Sequence, residues 1–245
     1  MSSKKKIDTL SPPETEQDFP IIGIGASAGG LDAFKQFVKA ISNDSGMAYV
    51  LVQHLDPNHE SILSAILSRE TEIPVLEITD DIHLAPNHIY VIPENKALTS
   101  TDGVLKLTPR NKIKTNTTID VFFTSLAEVH QSLAVGIVLS GTGSDGTLGL
   151  KAIKEHGGIT LAQDQQSTKY GEMPKNAEDS EVVDFVLPPE KMPEKLLHIM
   201  QTYKGYKDSE KNLPKDDEDA FNQIITILRQ RSGVDFTYYK QTTVR

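Results

Sequence analysis

Ile21-Ile22-Gly23-Ile24-Gly25-Ala26-Ser27-Ala28-Gly29-Gly30 is the stretch from which the rest of the chain is read. Ile21-Ile22-Gly23-Ile24 is an apolar run of the kind that suits a strand buried on both faces, and it breaks into glycines before a helical pattern begins over about Gly30–Ile41. A buried strand feeding a helix through a tight turn is the opening of a βαβ unit. The alternation continues outward. Met47–Gln53 reads as a second strand, Asn58–Leu67 as a helix and Val75–Ile78 as a third strand. Ile89–Ile92 and Val104–Leu107 bracket Thr101-Asp102-Gly103, where the Asp-Gly pair signals a β-hairpin turn. Ile119–His130 is helical, Val135–Leu139 a strand, Gly146–His156 a helix, Ile159–Ala162 and Val182–Leu187 strands, and Glu190–Tyr203 a closing helix. Apolar strands alternating with helices predict an α/β fold: a doubly wound, mostly parallel sheet with helices on both faces and an inserted β-hairpin. In such sheets, chemistry sits beyond the carboxyl ends of the strands.

The composition agrees with a globular chain and narrows its chemistry. Of 245 residues, 38% are hydrophobic and 24% charged, which suits a packed core rather than disorder or a fibre. Cysteine is absent, which removes disulfides, thiolate metal sites and cysteine nucleophiles. The net charge is -9 and belongs to the body, because residues 20–200 hold 14 basic and 23 acidic residues. An acidic body without a basic stripe argues against nucleic acid as a partner. Lys4-Lys5-Lys6 is followed by no apolar run and no stretch reaches the length of a membrane span, so the expectation is a cytoplasmic protein without membrane insertion. Residues 1–19 read as a disordered lead-in, 20–203 as the folded domain, 204–215 as a charged linker, and 216–245 as the start of a further helical unit.

Three strand ends carry the candidate chemistry. Gly25 to Gly29 fits G-x-S-x-G, a strand-to-helix turn that exposes the Ser27 oxygen beside backbone N–H groups. The same residues, Gly23 to Ala28, fit a dinucleotide-binding glycine pattern, and a plain tight turn is a third reading. The second strand ends in Gln53-His54, where a dinucleotide fold wants an acid; a histidine instead suits a base for a serine nucleophile, although it could simply end a strand. The third end is Ser140-Gly141-Thr142-Gly143-Ser144-Asp145-Gly146, whose Asp145 could orient the histidine or cap the helix starting at Gly146. His54-x-Asp56-x-x-His59 lacks further ligands to make a metal site; His83 and His88 read as structural or exposed, and His130, His156 and His198 sit near helix ends where a cation is tolerated.

Several separate segments together resemble the catalytic domain of the chemotaxis receptor methylesterase (CheB) family: Ile22–Gly30, Val52-Gln53-His54, Leu84–Pro93, Ile119–Phe123, Val138–Gly146, Ala162-Gln163-Asp164 and Glu172-Met173-Pro174. The resemblance spans roughly residues 20–200. It implies Ser27 as nucleophile, His54 as general base and acid, Asp145 as orienting carboxylate, and backbone N–H groups of Ala28 and Thr142 as oxyanion donors. It implies hydrolysis of glutamate methyl esters on helical receptor proteins, with glutamine deamidation in many members, and no cofactor or metal. Thr142 stands where the family usually has methionine, Ala28 where it often has threonine, and Thr115–Thr118 where a basic, proline-containing segment is usual. The tail, Ala220–Arg245, resembles the first helices of the receptor methyltransferase (CheR) family, which implies a fusion partner covalently linked to the esterase, its cofactor site lying beyond Arg245. A non-catalytic regulatory module with the same fold is the alternative reading.

Overall fold

The computed structural model describes residues 19–53, 62–101, 104–109 and 117–210, with side chains as far as Thr202. His54, Asp56 and His59, the Asp102-Gly103 turn, Thr115-Asn116, and the lead-in and tail expectations for residues 1–18 and 211–245 fall outside the described residues.

Seven strands form one sheet in the order β10-β9-β8-β1-β2-β5-β3, with every neighbouring pair parallel. They are β1 (Ile21–Ala26), β2 (Ala48–Gln53), β3 (Val75–Glu77), β5 (His88–Val91), β8 (Ala134–Val138), β9 (Ile159–Gln163) and β10 (Phe185–Leu187). A smaller antiparallel sheet joins β4 (Ile82–His83), β7 (Val104–Pro109) and β6 (Lys96–Thr101) in that order. The helices are α1 (Gly30–Lys39), α2 (Leu63–Leu67), α3 (Thr118–His130), α4 (Thr147–Glu155), α5 (Glu172–Asp179) and α6 (Met192–Glu210).

Alternation along the strands divides the core in two. Ile22 and Ile24 of β1, Tyr49 and Leu51 of β2, and Val135 and Ile137 of β8 pack with Phe34 and Phe37 of α1, Leu67 of α2, and Met192 and Leu196 of α6. On the opposite face Val50, Val52, Tyr90 and Val138 pack with Phe122, Phe123 and Leu126 of α3, Leu150 and Ile153 of α4, and Leu98 and Leu105 of the small sheet. The result is the three-layer, doubly wound architecture predicted from the strand runs.

The glycines of β1 set the spacing on the second face. A Cβ on Gly23 would come 2.9 Å from Phe123 Cε1, and one on Gly25 would come 2.5 Å from Ile119 Cγ2. The open sides of both residues are therefore filled by α3, which lies close on the sheet. They serve helix packing.

Four local expectations need correction. The first arm of the hairpin is β6, not Ile89–Ile92, which lies inside the large sheet as β5; Thr101 at the end of β6 pairs with Val104 at the start of β7. The stretch 172–179 is a helix that the sequence reading passed over. Helix α6 continues to Glu210 rather than yielding to a linker at 204. Its Lys and Glu residues read as linker charge, yet such straight-chain residues favour helix. His130 ends α3 but is 3% exposed, and burial lowers its pKa to about 4, so it is a neutral core histidine rather than a tolerated cation.

Candidate active site

β1 runs between β2 and β8, and the chain winds to one side of β1 first and to the other later. The crevice at this reversal lies beyond the carboxyl ends of β1 and β8, which is where open α/β sheets bind ligands. Ser27 follows β1 directly, and the loop Ser140–Gly146 follows β8.

The two segments are bonded into one unit. The Leu139 N–H donates to the Gly25 carbonyl at 2.9 Å, and the Ser27 N–H donates to the Ser140 carbonyl at 3.0 Å. The Ser140 hydroxyl donates to the Ala28 carbonyl at 2.9 Å and accepts the Tyr170 N–H at 3.1 Å, while the Ser140 N–H reaches the buried Gln163 Oε1 at 2.8 Å. One serine thus ties together the turn after β1, the loop after β8 and the segment before α5. Gly29 completes the turn at φ 73°, a left-handed conformation glycine adopts freely, and a Cβ there would come 2.8 Å from Ser140 Oγ.

Ser27 is half-buried, and a Cβ on Gly141 would stand 3.0 Å from the Ser27 Cβ, so the loop backbone lies against the serine. Among the described residues, the N–H groups of Ala28 and Thr142 donate to no acceptor. Thr142 and Gly143 lie in an exposed part of the loop that α5 holds from outside. The Gly143 N–H donates to Glu172 Oε2 at 3.0 Å, and Asn176 Nδ2 donates to the Gly143 carbonyl at 2.7 Å. Gly141 also bridges to Gly171, and its N–H donates to the Tyr170 carbonyl at 2.8 Å.

Asp145 is 6% exposed and does cap a helix, though not the one that follows it. Its Oδ2 accepts the Ile119 N–H at 3.0 Å and its Oδ1 the Asp120 N–H at 2.9 Å, so it caps α3. The first N–H groups of a helix have no partner within it, and a carboxylate suits that end of the dipole. The cap of α4 comes in return from Asp120, whose Oδ1 accepts from Gly146 N at 2.9 Å and Gly149 N at 2.8 Å. Burial pushes the Asp120 carboxyl above the ordinary carboxylate range and the neighbouring Asp145 charge pushes it the same way, against the lowering effect of the two N–H bonds.

The β1–β2 register pairs Ala26 with Gln53, the residues immediately before Ser27 and His54. His54 itself lies outside the described residues. Ser27, Ala28, Thr142 and Asp145 all belong to the β1 and β8 ends. His83 is in β4 and His88 in β5, where His88 Nδ1 meets the Pro86 carbonyl at 2.9 Å. Asp80 accepts the Leu107 N–H of the small sheet at 3.1 Å. Among the described residues, no group of three His, Asp or Glu side chains could hold a metal ion. Nor is any helix among them long and apolar enough to cross a membrane.

Sequence reasoning missed Ser140, Asp120 and α5 as parts of the site. Met173 and Ala177, four apart and buried, were the available signal for α5, together with Gly171 before its start and Pro174 within its first turn. The Asp120 role had no local signal, because its partners are 26 and 29 residues away.

Comparison with known proteins now adds a decisive observation: residues 22–196 match the CheB methylesterase family, well over half of the chain. The chain belongs to the CheB methylesterase family. A protein of Leptospira interrogans is 31% identical over 186 residues, which is 75% of this chain and 96% of that one. The Myxococcus xanthus "Protein-glutamate methylesterase FrzG" is 31% identical over 181 residues, covering 71% of this chain and 54% of the relative. Among solved structures, the catalytic domain of Thermotoga maritima CheB methylesterase superposes with a TM-score of 0.68 at 28% identity, covering 74% of this chain and 98% of that domain. A further relative, an uncharacterised 104.1 kDa protein of Rhodobacter capsulatus, is 37% identical over 125 residues, 51% of this chain but 13% of its own length.

Proposed function

We propose that this CheB-family chain hydrolyses glutamate methyl esters on a chemoreceptor-type protein through Ser27, His54 and Asp145. The observation that carries the reading is the meeting of the Ser27 turn with the Ser140–Gly146 loop at the reversal of the sheet, with the Ala28 and Thr142 N–H groups meeting no acceptor among the described residues beside a half-buried serine.

The chemistry divides into two acyl transfers. His54 takes the hydroxyl proton as Ser27 Oγ attacks the ester carbonyl, and the N–H groups of Ala28 and Thr142 receive the oxyanion. Collapse breaks the bond to the methoxy group, and His54 returns the proton so that methanol leaves. Water, deprotonated by His54, then attacks the acyl-serine; the bond to Ser27 Oγ breaks, His54 returns the proton to that oxygen, and glutamate leaves. Asp145 orients the imidazole and stabilises its charged form. Support for His54 comes from the Ala26–Gln53 pairing just before the two residues. Because the donors at 28 and 142 are backbone groups, the Ala28 and Thr142 side chains leave the oxyanion contacts available.

The same attack on a carboxamide releases ammonia, and a glutaminase activity beside the esterase is named in the Burkholderia lata relative, "Protein-glutamate methylesterase/protein-glutamine glutaminase 2", 35% identical over 189 residues. The substrate would be a methylated helical signalling protein met in the cytoplasm. A covalently linked methyltransferase unit fits the resemblance of Ala220–Arg245 to the first helices of the CheR family, and the long Rhodobacter capsulatus relative is in keeping with such a domain residing in a larger chain. Methanol release from a methylated receptor fragment, with Ser27→Ala and His54→Ala beside the parent, tests the assignment. Loss of release in both folded variants is expected; turnover by folded Ser27→Ala would overturn it.

A further inference from the structure

Asp120 and Asp145 form a closed exchange between two helices. Asp145 accepts N–H groups from Ile119 and Asp120 at the start of α3, and Asp120 accepts N–H groups from Gly146 and Gly149 at the start of α4. Neither helix is capped by its own N-cap side chain: Thr117 makes no side-chain cap to α3, and Gly146 has none to offer α4. Each carboxylate therefore fixes the backbone that carries the other. Gly146, the residue bonded to Asp120, is the immediate neighbour of Asp145 and sits at φ 96°.

The helices are also close enough for this geometry to be strict. A Cβ on Gly149 would come 2.4 Å from Phe123 Cβ and 3.2 Å from the Asp120 carbonyl oxygen. A Cβ on Gly146 would come 2.9 Å from Val138 Cγ2 and 3.0 Å from Ile119 Cγ2. The peptide after Asp145 has no slack on the sheet side, and on the α3 side Asp120 is the group that holds it.

We propose that Asp120 is a positioning residue for the triad, holding Asp145 in the orientation that His54 requires by anchoring the Gly146 and Gly149 N–H groups. This rests on the triad assignment above. Asp120 touches neither substrate nor the reacting atoms in this role; it acts through Asp145. Removing it frees two N–H groups at the start of α4 and lets the Asp145 backbone shift, and displacements of about 1 Å in a catalytic group cost up to ~100-fold in rate.

The test compares kcat and KM for methanol release from a methylated receptor fragment in Asp120→Ala, Asp120→Asn, Asp145→Ala, the Asp120→Ala/Asp145→Ala pair and Ser27→Ala, each checked for folding by circular dichroism. Asp120→Ala should lower kcat about 10–100-fold with KM little changed. Asp120→Asn keeps an oxygen acceptor at the same distance and should recover most of that loss. In the Asp145→Ala background, Asp120→Ala should add almost nothing, because a group acting through another has no separate effect once the other is gone. If Asp120→Ala folds poorly, Asp120→Ser, with one oxygen on a shorter stem, replaces it with the same expectations. Wild-type kcat in a folded Asp120→Ala or Asp120→Ser, or a full further loss on top of Asp145→Ala, would overturn the proposal. Active Ser27→Ala would instead sink the triad assignment on which it depends, so the two failures are told apart.

Discussion

Gly25→Ala would test the packing that links β1 to the site. The new methyl would lie 2.5 Å from Ile119 Cγ2, 2.9 Å from Cδ1 and 3.1 Å from Cγ1. Apolar carbons rest at roughly 3.5–4.0 Å, so the Ile119 side chain must retreat by about 1 Å. It has little room to do so: Ile119 is fully buried and also faces Gly146 across the α4 start. Overpacking of this kind costs about 1–3 kcal/mol. The shift also passes to the Ile119 backbone, whose N–H is bonded to Asp145, so activity should fall by roughly tenfold or more. Denaturant unfolding gives the stability, and methanol release with fluorophosphonate labelling of Ser27 gives the activity. Ile119→Ala alone should cost about 2–5 kcal/mol through the cavity it leaves. Combined with Gly25→Ala, which fills part of that space, the loss should be smaller than the sum by about 0.5–3 kcal/mol. Strict additivity, or a Gly25→Ala protein as stable and active as the parent, would refute the claim that this glycine exists to admit α3.

Three further outcomes are expected. His130 is neutral in the fold with a pKa near 4, whereas an unfolded histidine titrates near 6.5. Between these values the unfolded chain binds more protons, so its contribution is complete above about pH 6.5 and is lost as pH falls toward 4, by about 3 kcal/mol in all. His130→Gln should flatten that part of the stability profile relative to the parent, and an unchanged profile would contradict it. Glu172→Ala removes an exposed acceptor for the Gly143 N–H; melting should move little, while labelling of Ser27 slows as the Thr142 N–H loses its setting. The Asp184 side chain is 3% exposed, accepts from Thr160 and pairs with Lys154 at 3.2 Å, so Asp184→Ala should cost about 3–5 kcal/mol in urea unfolding.

The sheet was readable because its strands are apolar throughout and the helices between them keep their own period. Ile21–Ala26, Ala48–Gln53 and Ala134–Val138 are buried on both faces apart from Gln53, so their runs stand out in the sequence. Ser27 and Asp145 stand out as candidates because both sit in glycine-flanked strand ends. What escaped was held by contacts distant along the chain. Ser140 looks like one more polar loop residue until its bonds to Ala28 and Tyr170 are seen. The cap that local spacing offers Asp145 is on the helix it precedes, but its side chain turns to the helix that begins 27 residues earlier. Helix α5 was hidden by polar composition, since Met173, Pro174 and Ala177 are its only buried residues.

The strand register has a consequence for the order in which the chain can acquire its shape. β1 meets β2 early in synthesis, pairing Ile21 with Ala48, but its other edge waits for Ala134 and the residues after it. Contacts of such long sequence separation form slowly, because the intervening chain must be confined first. While a ribosome is still adding residues 50–130, β1 therefore has one unpaired edge made of Ile21, Ile22, Ile24 and two glycines without side chains to shield it. That edge is open to pairing with a wrong strand until β8 closes it, from the same side that carries the Ser140 loop.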